Sequence, residues 1–480
     1  MVQVADDVLR HLADIGAIIT EPKFLGNELG LCPGSLRRCG HAARNRGGGP
    51  DTPEPSDHVN ARVQPSSGSR AGNHLTVVDV QHRGIDLYPR VFGGQHRREG
   101  PMRDRARGLQ TLLREQVSSG ETLRRLPDAV AEALLREGMY RLLTPKRFDG
   151  HAVDAVTVLR VGETLAEADG SAAWSVIINA IGSWLAGQFT PQCQHEIFGA
   201  NPDARFAGST TPGSARREHR GLRISGRWPY CSGAQHADWT VFGVTAETGG
   251  ASERLLCCVP ASELKVEKTW RTIGMRGTGS DTLVAHDLYV PEYRTLAFER
   301  LGHCAPSSQL ETMHRMPFTA LGTLTMLGPL LGMAKGALDF VAARASSKPL
   351  SNTLYPRQSD SAGLQIQLAQ AALMIRTARM HAYEMAAALD TAAARDLAVD
   401  YPGRAEIRAR IGYAAQQVVD ALTILVSVHG AGSFAESTVL QQYWRDANML
   451  ARHAGLQPTV GYEIYGKTLV GVNERISPTI

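Results

Sequence analysis

The apolar positions follow a helical period in the first regular part of the chain. In the stretch TLRRLPDAVAEALLREGMYRLLTP, Val130, Leu134 and Met139 recur at the spacing of one helix face. The next stretch, TVLRVGETLAEADGSAAWSVIINAIGSWLAGQF, is apolar around most of its circumference and is broken by an Asp-Gly pair. It predicts two helices that are buried on several faces. We therefore predict an N-terminal helical domain over residues 102–202.

The pattern changes over residues 203–297. The segments LRISGRWPYCSGAQHADWTVFGVTA, RLLCCVPASELKVEKTW and TLVAHDLYVPEY are short, rich in β-branched and aromatic residues, and separated by Gly and Pro. This composition predicts the strands of an antiparallel sheet domain. Residues 298–480 return to long Ala/Leu/Met-rich segments, which are typical of a helical bundle. The predicted fold class is mainly α with a central antiparallel β domain.

The front of the chain, residues 1–101, has no helical or strand period. It is rich in Gly, Pro, Ser, Arg and His and poor in large apolar residues. Such a segment buries too little surface to offset its ordering entropy. We expect a disordered extension, or upstream sequence ahead of a true start at Met102. The alternative is a basic, His-bearing tail that binds a partner or a metal.

Length, composition, net charge and cysteine count limit the class of protein to which the chain can belong. The chain has 480 residues, 43% hydrophobic and 20% charged, as in globular proteins. Its formal net charge of +4 gives no ground for nucleic-acid or membrane binding. Seven scattered cysteines without a CxxC pair argue against a zinc site and fit a reducing compartment. Without an apolar run of about 18 residues, a cytoplasmic protein with no membrane span and no metal is expected.

Five separated motifs occur in an order that resembles the acyl-CoA dehydrogenase superfold. The resemblance is closer to its oxygenase branch, the two-component flavin-dependent monooxygenases, which include hydroxylases of p-hydroxyphenylacetate and secosteroid phenols and "pigment production" hydroxylases. It covers the chain from Met102 onward and implies an N-terminal helical domain, a β-barrel-like domain and a C-terminal four-helix bundle. The motifs are YRLLTPKRFDG (140–150), ADGSAAWSV (168–176), GRWPYCSGAQHADWTVFG (226–243), WRTIGMRGTGSDTLVAHDLYVPEY (270–293) and VSVHGAGSF (426–434).

The resemblance implies that the chain binds reduced FMN or FAD and uses O₂ as co-substrate. Ser232 takes the place of a Ser near the flavin N5 atom, and a hydroxyl there can both donate and accept. No nicotinamide fingerprint is present, so a separate NAD(P)H:flavin reductase would supply the reduced flavin. The family precedent also implies a homotetramer. The cofactor-binding candidates are Ser232, Arg276 and Thr278 at the ring, and Arg357, Gly430 and Gly432 at the phosphate end.

The stretch WRDANMLARHAGL distinguishes an oxygenase from a dehydrogenase. In many acyl-CoA dehydrogenases a catalytic Glu follows the Arg-Asp-Ala triplet by a little over two helical turns. This chain has Arg445-Asp446-Ala447 and then His453 near that position, while Glu463 lies further on. The resemblance implies oxygen transfer from a flavin C4a-hydroperoxide to an aromatic, phenolic or polyketide-like substrate. Imidazole can act as base toward a phenol or hydrogen-bond the hydroperoxide, so His453 is the catalytic candidate.

The substrate contacts are less well defined by sequence. Phenol hydroxylases of this branch often carry a further His on the substrate helix, where this chain reads NAIGSWLAG. We expect Trp174, Ser183 and Ser209 to contact the substrate instead. Each candidate also has a structural interpretation, such as a core tryptophan, a strand bend or a solvated charge. The alternative functions are an FAD-dependent acyl-CoA dehydrogenase, an N- or S-oxygenating relative, and a family member that binds flavin or a partner without turnover.

Overall fold

The structure is a computed structural model that describes residues 100–248, 251–301, 310–477 and 480. Most of the predicted extension, residues 1–99, lies outside the described residues. Gly100 and Pro101 belong to the same helix as Met102, so this helix includes two residues upstream of the predicted domain boundary.

Helices form the first part of the described chain, as predicted. Asp154 and Asp169 accept hydrogen bonds from the first-turn amides of Thr157 and Ser171 and so cap the two most buried helices, α4 and α5. The helices are α1 (Gly100–Gly108), α2 (Gln110–Leu123), α3 (Asp128–Arg136), α4 (Ala155–Ala166), α5 (Gly170–Ala186) and α6 (Pro191–Phe198).

The central part is a seven-stranded sheet within the described ranges, in the order β5-β6-β2-β1-β3-β4-β7. The strands are β1 (Phe206–Glu218), β2 (Gly221–Cys231), β3 (Trp239–Thr248), β4 (Ala251–Pro260), β5 (Lys265–Glu267), β6 (Asp281–Pro291) and β7 (Thr295–Ala297).

The expected antiparallel sheet is mixed at one pairing, because β1 and β3 run parallel. β2 returns beside β1 in an ordinary antiparallel hairpin. The chain then crosses through residues 232–238 to the opposite side of β1 and continues in the direction of β1. The crossover therefore carries the third motif from one edge of β1 to the other.

The C-terminal part is helical, as predicted. The expectation that the chain has no apolar run of about 18 residues is wrong, since Phe318–Ala345 and Tyr401–His429 have the length and hydropathy of membrane spans. In each stretch 61% of the apolar window is buried within the protein, as in core helices of a bundle. The helices are α7 (Phe318–Thr325), α8 (Leu327–Ala345), α9 (Ala362–Ala394), α10 (Tyr401–His429), α11 (Val439–Leu450) and α12 (Pro458–Leu469).

Small residues let helices from the two ends of the chain pack closely. A Cβ atom at Gly328 of α8 would lie 2.7 Å from the Leu159 carbonyl oxygen of α4, and one at Gly332 would collide with the Glu163 carbonyl. Any larger residue at these positions would push α8 away from α4. The N-terminal helices and the C-terminal bundle consequently share one hydrophobic core.

A polar clamp joins α11 to the loop before β6. The buried carboxylate of Asp446 accepts a hydrogen bond of 2.5 Å from the Met275 amide, and Met275 has a left-handed backbone with φ of 52°. The neighbouring Arg445 donates to the Ile273 carbonyl and, at 2.8 Å, to Glu121 on α2. These contacts tie the loop to helices from both ends of the chain. We name them the Arg445-Asp446 clamp.

The clamp predicts a pH dependence of stability. Burial raises the pKa of Asp446 from its ordinary value of 3.8 to about 7. Between these values the folded protein holds a proton that the unfolded chain releases, so this group lowers the free energy of unfolding as pH rises. Asp446→Asn keeps an acceptor oxygen but does not titrate. From pH 4 to pH 7 we expect the free energy of unfolding of this variant to fall less steeply than that of the wild type. The two slopes should differ by up to about 1.4 kcal/mol per pH unit.

Urea unfolding of the wild type and Asp446→Asn at several pH values across this window measures the difference. Equal pH slopes for the two proteins would show that Asp446 is ionised in both states and would refute the prediction.

Candidate active site

Four side chains from three separate segments form a buried hydrogen-bonded chain. The Trp174 Nε1 atom donates to Ser232 Oγ over 2.9 Å, and Ser232 Oγ lies 2.8 Å from Ser280 Oγ. Ser280 Oγ lies 2.7 Å from Thr278 Oγ1, which donates to the Met275 carbonyl over 2.8 Å. All four side chains are buried. We name this set the hydroxyl chain.

Local backbone geometry brings these residues together. Trp174 is in the second turn of α5, whose N-terminus is capped by Asp169. Ser232 follows β2 directly, and the turn there needs the positive φ of 75° at Gly233. A Cβ atom at Gly277 would lie 3.0 Å from Cβ of Ser171, so glycine allows the loop to pack on the start of α5. The loop, the end of β2 and α5 thereby meet.

His453 lies beside the hydroxyl chain, just beyond α11. Its ring centroid is 5.5 Å from that of Trp174, with the rings at 64° to one another. The Gly455 amide donates to His453 Nδ1 over 3.1 Å. Because Nδ1 is an acceptor there, the hydrogen of the neutral ring is on Nε2. The structure thus holds His453 in the tautomer that donates through Nε2.

The surroundings of His453 lower its pKa. Desolvation first, and the positive charge of Arg408 second, lower the pKa of His453 from 6.5 to about 4. The residue as a whole is exposed, although the ring lies against protein, and solvent at its open side weakens the shift. The pKa is still lowered, because both causes disfavour the charged imidazolium. Arg408 itself is buried and donates to the Ala454 and Gln457 carbonyls.

An apolar wall continues from Trp174 along α5. Ile178 and Ile181 follow Trp174 by four and seven residues, which places all three on one helix face, and both isoleucines are half-buried. A Cβ atom at Gly322 of α7 would lie 4.0 Å from Ile181 and 3.8 Å from Phe318. Helices α5 and α7 therefore face one another with apolar and aromatic side chains.

The predicted substrate contacts Ser183 and Ser209 are not placed with Trp174. Ser183 follows Trp174 by nine residues, which is about 180° around the helix, and it is fully buried on the opposite face of α5. Ser209 lies an odd number of residues after Phe206, whose ring packs against Gly182 of α5, so strand alternation turns Ser209 to the other face of the sheet. The structure brings Trp174, Ser232, Thr278 and His453 together.

The glycine turn is contacted by a cation that the sequence did not single out. The Arg357 guanidinium is exposed and held by Asp360 at 2.9 to 3.1 Å. Lys348 instead contacts the glycine turn. Its Nζ atom donates to the His429 carbonyl and would lie 3.8 Å from a Cβ atom at Gly432. Gly430 has the positive φ of 83° that this turn needs.

Two buried polar atoms at the predicted flavin contacts have no hydrogen-bond partner. They are Arg276 Nε, near the ring site, and His429 Nδ1, at the glycine turn. Arg276 also lies 3.6 Å from Glu121, so only part of its guanidinium is engaged. Burial first, and the charges of Lys348 and Arg344 next, lower the pKa of His429. Polar atoms without a partner at both places, with the positive charges of Lys348 and Arg344 near the glycine turn, fit a ligand with an anionic end.

The sequence did not single out Ser280 or Lys348. Strand alternation gives no signal for Ser280, because Arg276–Thr278 forms a 3-10 turn and Gly279 has a left-handed backbone with φ of 54°. Lys348 has no local signal, since it is 81 residues away from His429.

The chain is similar in sequence to known proteins of this architecture. Residues 324–458 match the family model described as the acyl-CoA dehydrogenase C-terminal domain. The oxygenase subunit HsaA of a flavin-dependent monooxygenase from Rhodococcus jostii (strain RHA1) is 29% identical over 365 residues, which are 75% of this chain and 95% of that protein. Indole-3-acetate monooxygenase from Pseudomonas putida is 33% identical over 276 residues, 57% of this chain and 69% of that protein.

A solved structure shows the same overall similarity. XiaF from Streptomyces sp., in complex with FADH₂ and glycerol, superimposes with a TM-score of 0.77 at 35% sequence identity. The match covers 80% of this chain and 98% of that chain.

The environment of His453 predicts its titration. We expect the imidazole to titrate below 6.5, because desolvation of the ring and the charge of Arg408 both disfavour the charged form. NMR of protein with isotope-labelled histidine, assigned by comparison with His453→Gln, measures the midpoint. A midpoint at or above 6.5 would contradict the prediction.

Proposed function

The chain belongs to the flavin-dependent monooxygenases that share the acyl-CoA dehydrogenase fold, and we propose that it is the oxygenase component of a two-component system that hydroxylates an aromatic compound. Reduced flavin would come from a separate NAD(P)H:flavin reductase. The similarity to an oxygenase subunit supports this division of labour.

One observation carries the choice of an oxygenase over a dehydrogenase. A neutral histidine, His453, stands beside the hydroxyl chain where a dehydrogenase keeps a carboxylate base. The alternative carboxylate, Glu463, is exposed on α12 with Lys467 at 3.9 Å. An exposed, paired carboxylate lacks the desolvation that raises the basicity of a catalytic glutamate.

Bound reduced flavin supplies the activation of O₂, and the residues of this chain orient and protect the reacting groups. Ser232, with Trp174 behind it, would face the flavin ring. His453 would donate a hydrogen bond from Nε2 to an oxygen of the bound reactants. The Gly455 amide occupies Nδ1, so this role as a donor fits the structure better than the role as general base toward a phenol.

The apolar wall supports an aromatic substrate. Ile178, Ile181 and Phe318 offer a surface on which a ring packs, and Trp174 closes it next to His453. Because these side chains are apolar or aromatic, we expect them to recognise a phenolic or polyketide-like ring mainly by shape. The similarity to an indole-3-acetate monooxygenase supports an aromatic ring as the substrate class.

The cofactor would be reduced FMN or FAD. Its phosphate end would lie at Lys348, Arg344 and the Gly430–Gly432 turn. Arg357 is less suitable because Asp360 already neutralises it. The turn would serve a flavin held by a neighbouring copy of the chain, as the resemblance implies.

We further propose a cytoplasmic homotetramer. A row of apolar side chains on α9 supports self-association. Ile366, Leu373 and Met380 are 68%, 63% and 54% exposed and lie seven residues apart, on one face of the helix. Apolar residues at this spacing form the contact seam between paired helices.

The role of His453 as a donor predicts different results for two substitutions. His453→Ala removes the hydrogen bond, and we expect the fraction of flavin oxidation that yields hydroxylated product to fall about tenfold, with more H₂O₂ released. His453→Asn keeps an N–H donor without a basic nitrogen and should retain most of the coupling.

Product and H₂O₂ per flavin oxidised are measured with an aromatic substrate, and His286→Ala is the matched control on an exposed histidine. Reduced-flavin affinity should change less than about threefold, since one peripheral contact is lost. Equal loss of coupling in both His453 variants would favour the general-base role.

The phosphate end predicts a second pair of results. Lys348→Met should weaken FMN binding about tenfold, because a charge-assisted contact is lost, and should leave the affinity for riboflavin, which has no phosphate, unchanged. Arg357→Met should change neither affinity by more than about twofold, since exposed paired charges contribute little. Anaerobic titration with each reduced flavin measures these affinities. An equal effect of Lys348→Met on riboflavin would show a structural role only.

A further inference from the structure

The hydroxyl chain has a defined direction. At one end, the indole N–H of Trp174 can only donate, and at the other end the Met275 carbonyl can only accept. The single hydroxyl hydrogen of Thr278 goes to that carbonyl. Thr278 must then accept from Ser280 in their 2.7 Å contact.

The direction extends to Ser232. Because the Ser280 hydrogen is directed to Thr278, Ser280 must accept the hydrogen of Ser232 in their 2.8 Å contact. Ser232 thus donates to Ser280 and accepts from Trp174. The one hydrogen-bonding site left on the Ser232 hydroxyl is its second lone pair, which can only accept. Reversing the direction would leave the Thr278 hydroxyl oxygen and the Met275 carbonyl oxygen 2.8 Å apart with no hydrogen between them, while that carbonyl keeps its second donor, Trp270 Nε1, at 2.9 Å. Two oxygens in such contact repel, so the reversed chain is unfavourable.

A ligand that meets Ser232 must therefore offer a hydrogen. Reduction of a flavin adds a hydrogen at the ring nitrogen N5, whereas oxidised flavin presents a lone pair at the same atom. Two lone pairs facing one another repel and leave a buried polar group without a partner.

We propose that Ser280 and Thr278 are positioning residues that fix Ser232 as a hydrogen-bond acceptor and thereby make the site select reduced over oxidised flavin. This inference rests on the proposed function, which places the flavin ring at Ser232. Neither Ser280 nor Thr278 has to touch the flavin, since both act through the direction of the Ser232 hydroxyl.

The selection suits an enzyme that obtains reduced flavin from solution. Oxidised flavin has the same ring and the same phosphate and is the natural competitor for the site. A contact that depends on the N5 hydrogen distinguishes the two redox states where the phosphate end cannot. It also favours release of the oxidised flavin after turnover.

The test compares affinities for the two redox states in the purified full-length protein. Anaerobic titration with reduced FMN, and titration with oxidised FMN, give the ratio of the two dissociation constants, oxidised over reduced. Ser280→Ala removes the acceptor of the Ser232 hydrogen, which can then turn toward the flavin. We expect the ratio to fall about tenfold, the equivalent of one hydrogen bond.

A second variant should free the Ser232 hydrogen without changing Ser280. Thr278→Val keeps the shape of the side chain but removes the acceptor of the Ser280 hydrogen. Ser280 can then donate to Ser232, and the hydrogen of Ser232 again becomes available. The ratio should fall as in Ser280→Ala, whereas general loosening of the site would weaken both affinities and leave the ratio unchanged.

The matched control is Thr282→Val. It removes a buried hydroxyl two residues from Ser280 that pairs with Thr269 at 2.8 Å, outside the hydroxyl chain. The ratio should equal that of the wild type. Three results would overturn this inference. The wild type could bind both redox states equally, with a ratio near one; Thr278→Val could keep the same ratio as the wild type; or Thr282→Val could lower the ratio as much as Ser280→Ala does. Absence of any flavin binding by the wild type would overturn the proposed function itself.

Discussion

The buried hydrogen bond from the Met275 amide to the Asp446 carboxylate connects the parts of the candidate site. It fixes the loop that carries Thr278 and Ser280, and these hydroxyls orient Ser232 against Trp174. The same helix that supplies Asp446 ends shortly before His453. One short stretch of chain therefore positions both the hydroxyl chain and the histidine, and a shift of α11 would displace them together.

Burial sets the charge states at this site. It raises the pKa of Asp446 to about 7 and lowers that of His453 to about 4, so desolvation favours the neutral form in both. Beside the largely apolar wall, donors of fixed direction leave hydrogen bonding to organise the reactants. The same fold serves dehydrogenases that need a carboxylate, which shows that function here depends on the side chains of the site more than on the architecture.

Local patterns in the sequence determined the order of the elements. The helical period before residue 203, the β-rich middle and the Ala/Leu-rich end predict the observed succession, because hydrophobic periodicity is a property of neighbouring residues. The spacing from Arg445-Asp446 to His453 likewise lies within one short segment. It predicted a histidine near the site without any knowledge of its surroundings.

Only the tertiary structure decided which distant groups meet and in what state. Trp174, Ser232 and Ser280 come from three segments, and their contact depends on how α5, β2 and the loop before β6 pack. Ser183 faces away although it shares α5 with Trp174, and Lys348, which is distant in sequence, contacts the glycine turn. The tautomer of His453 follows from the Gly455 amide. Hydrogen-bond direction and desolvation are set by the three-dimensional surroundings of each group, which residue identity and spacing leave open.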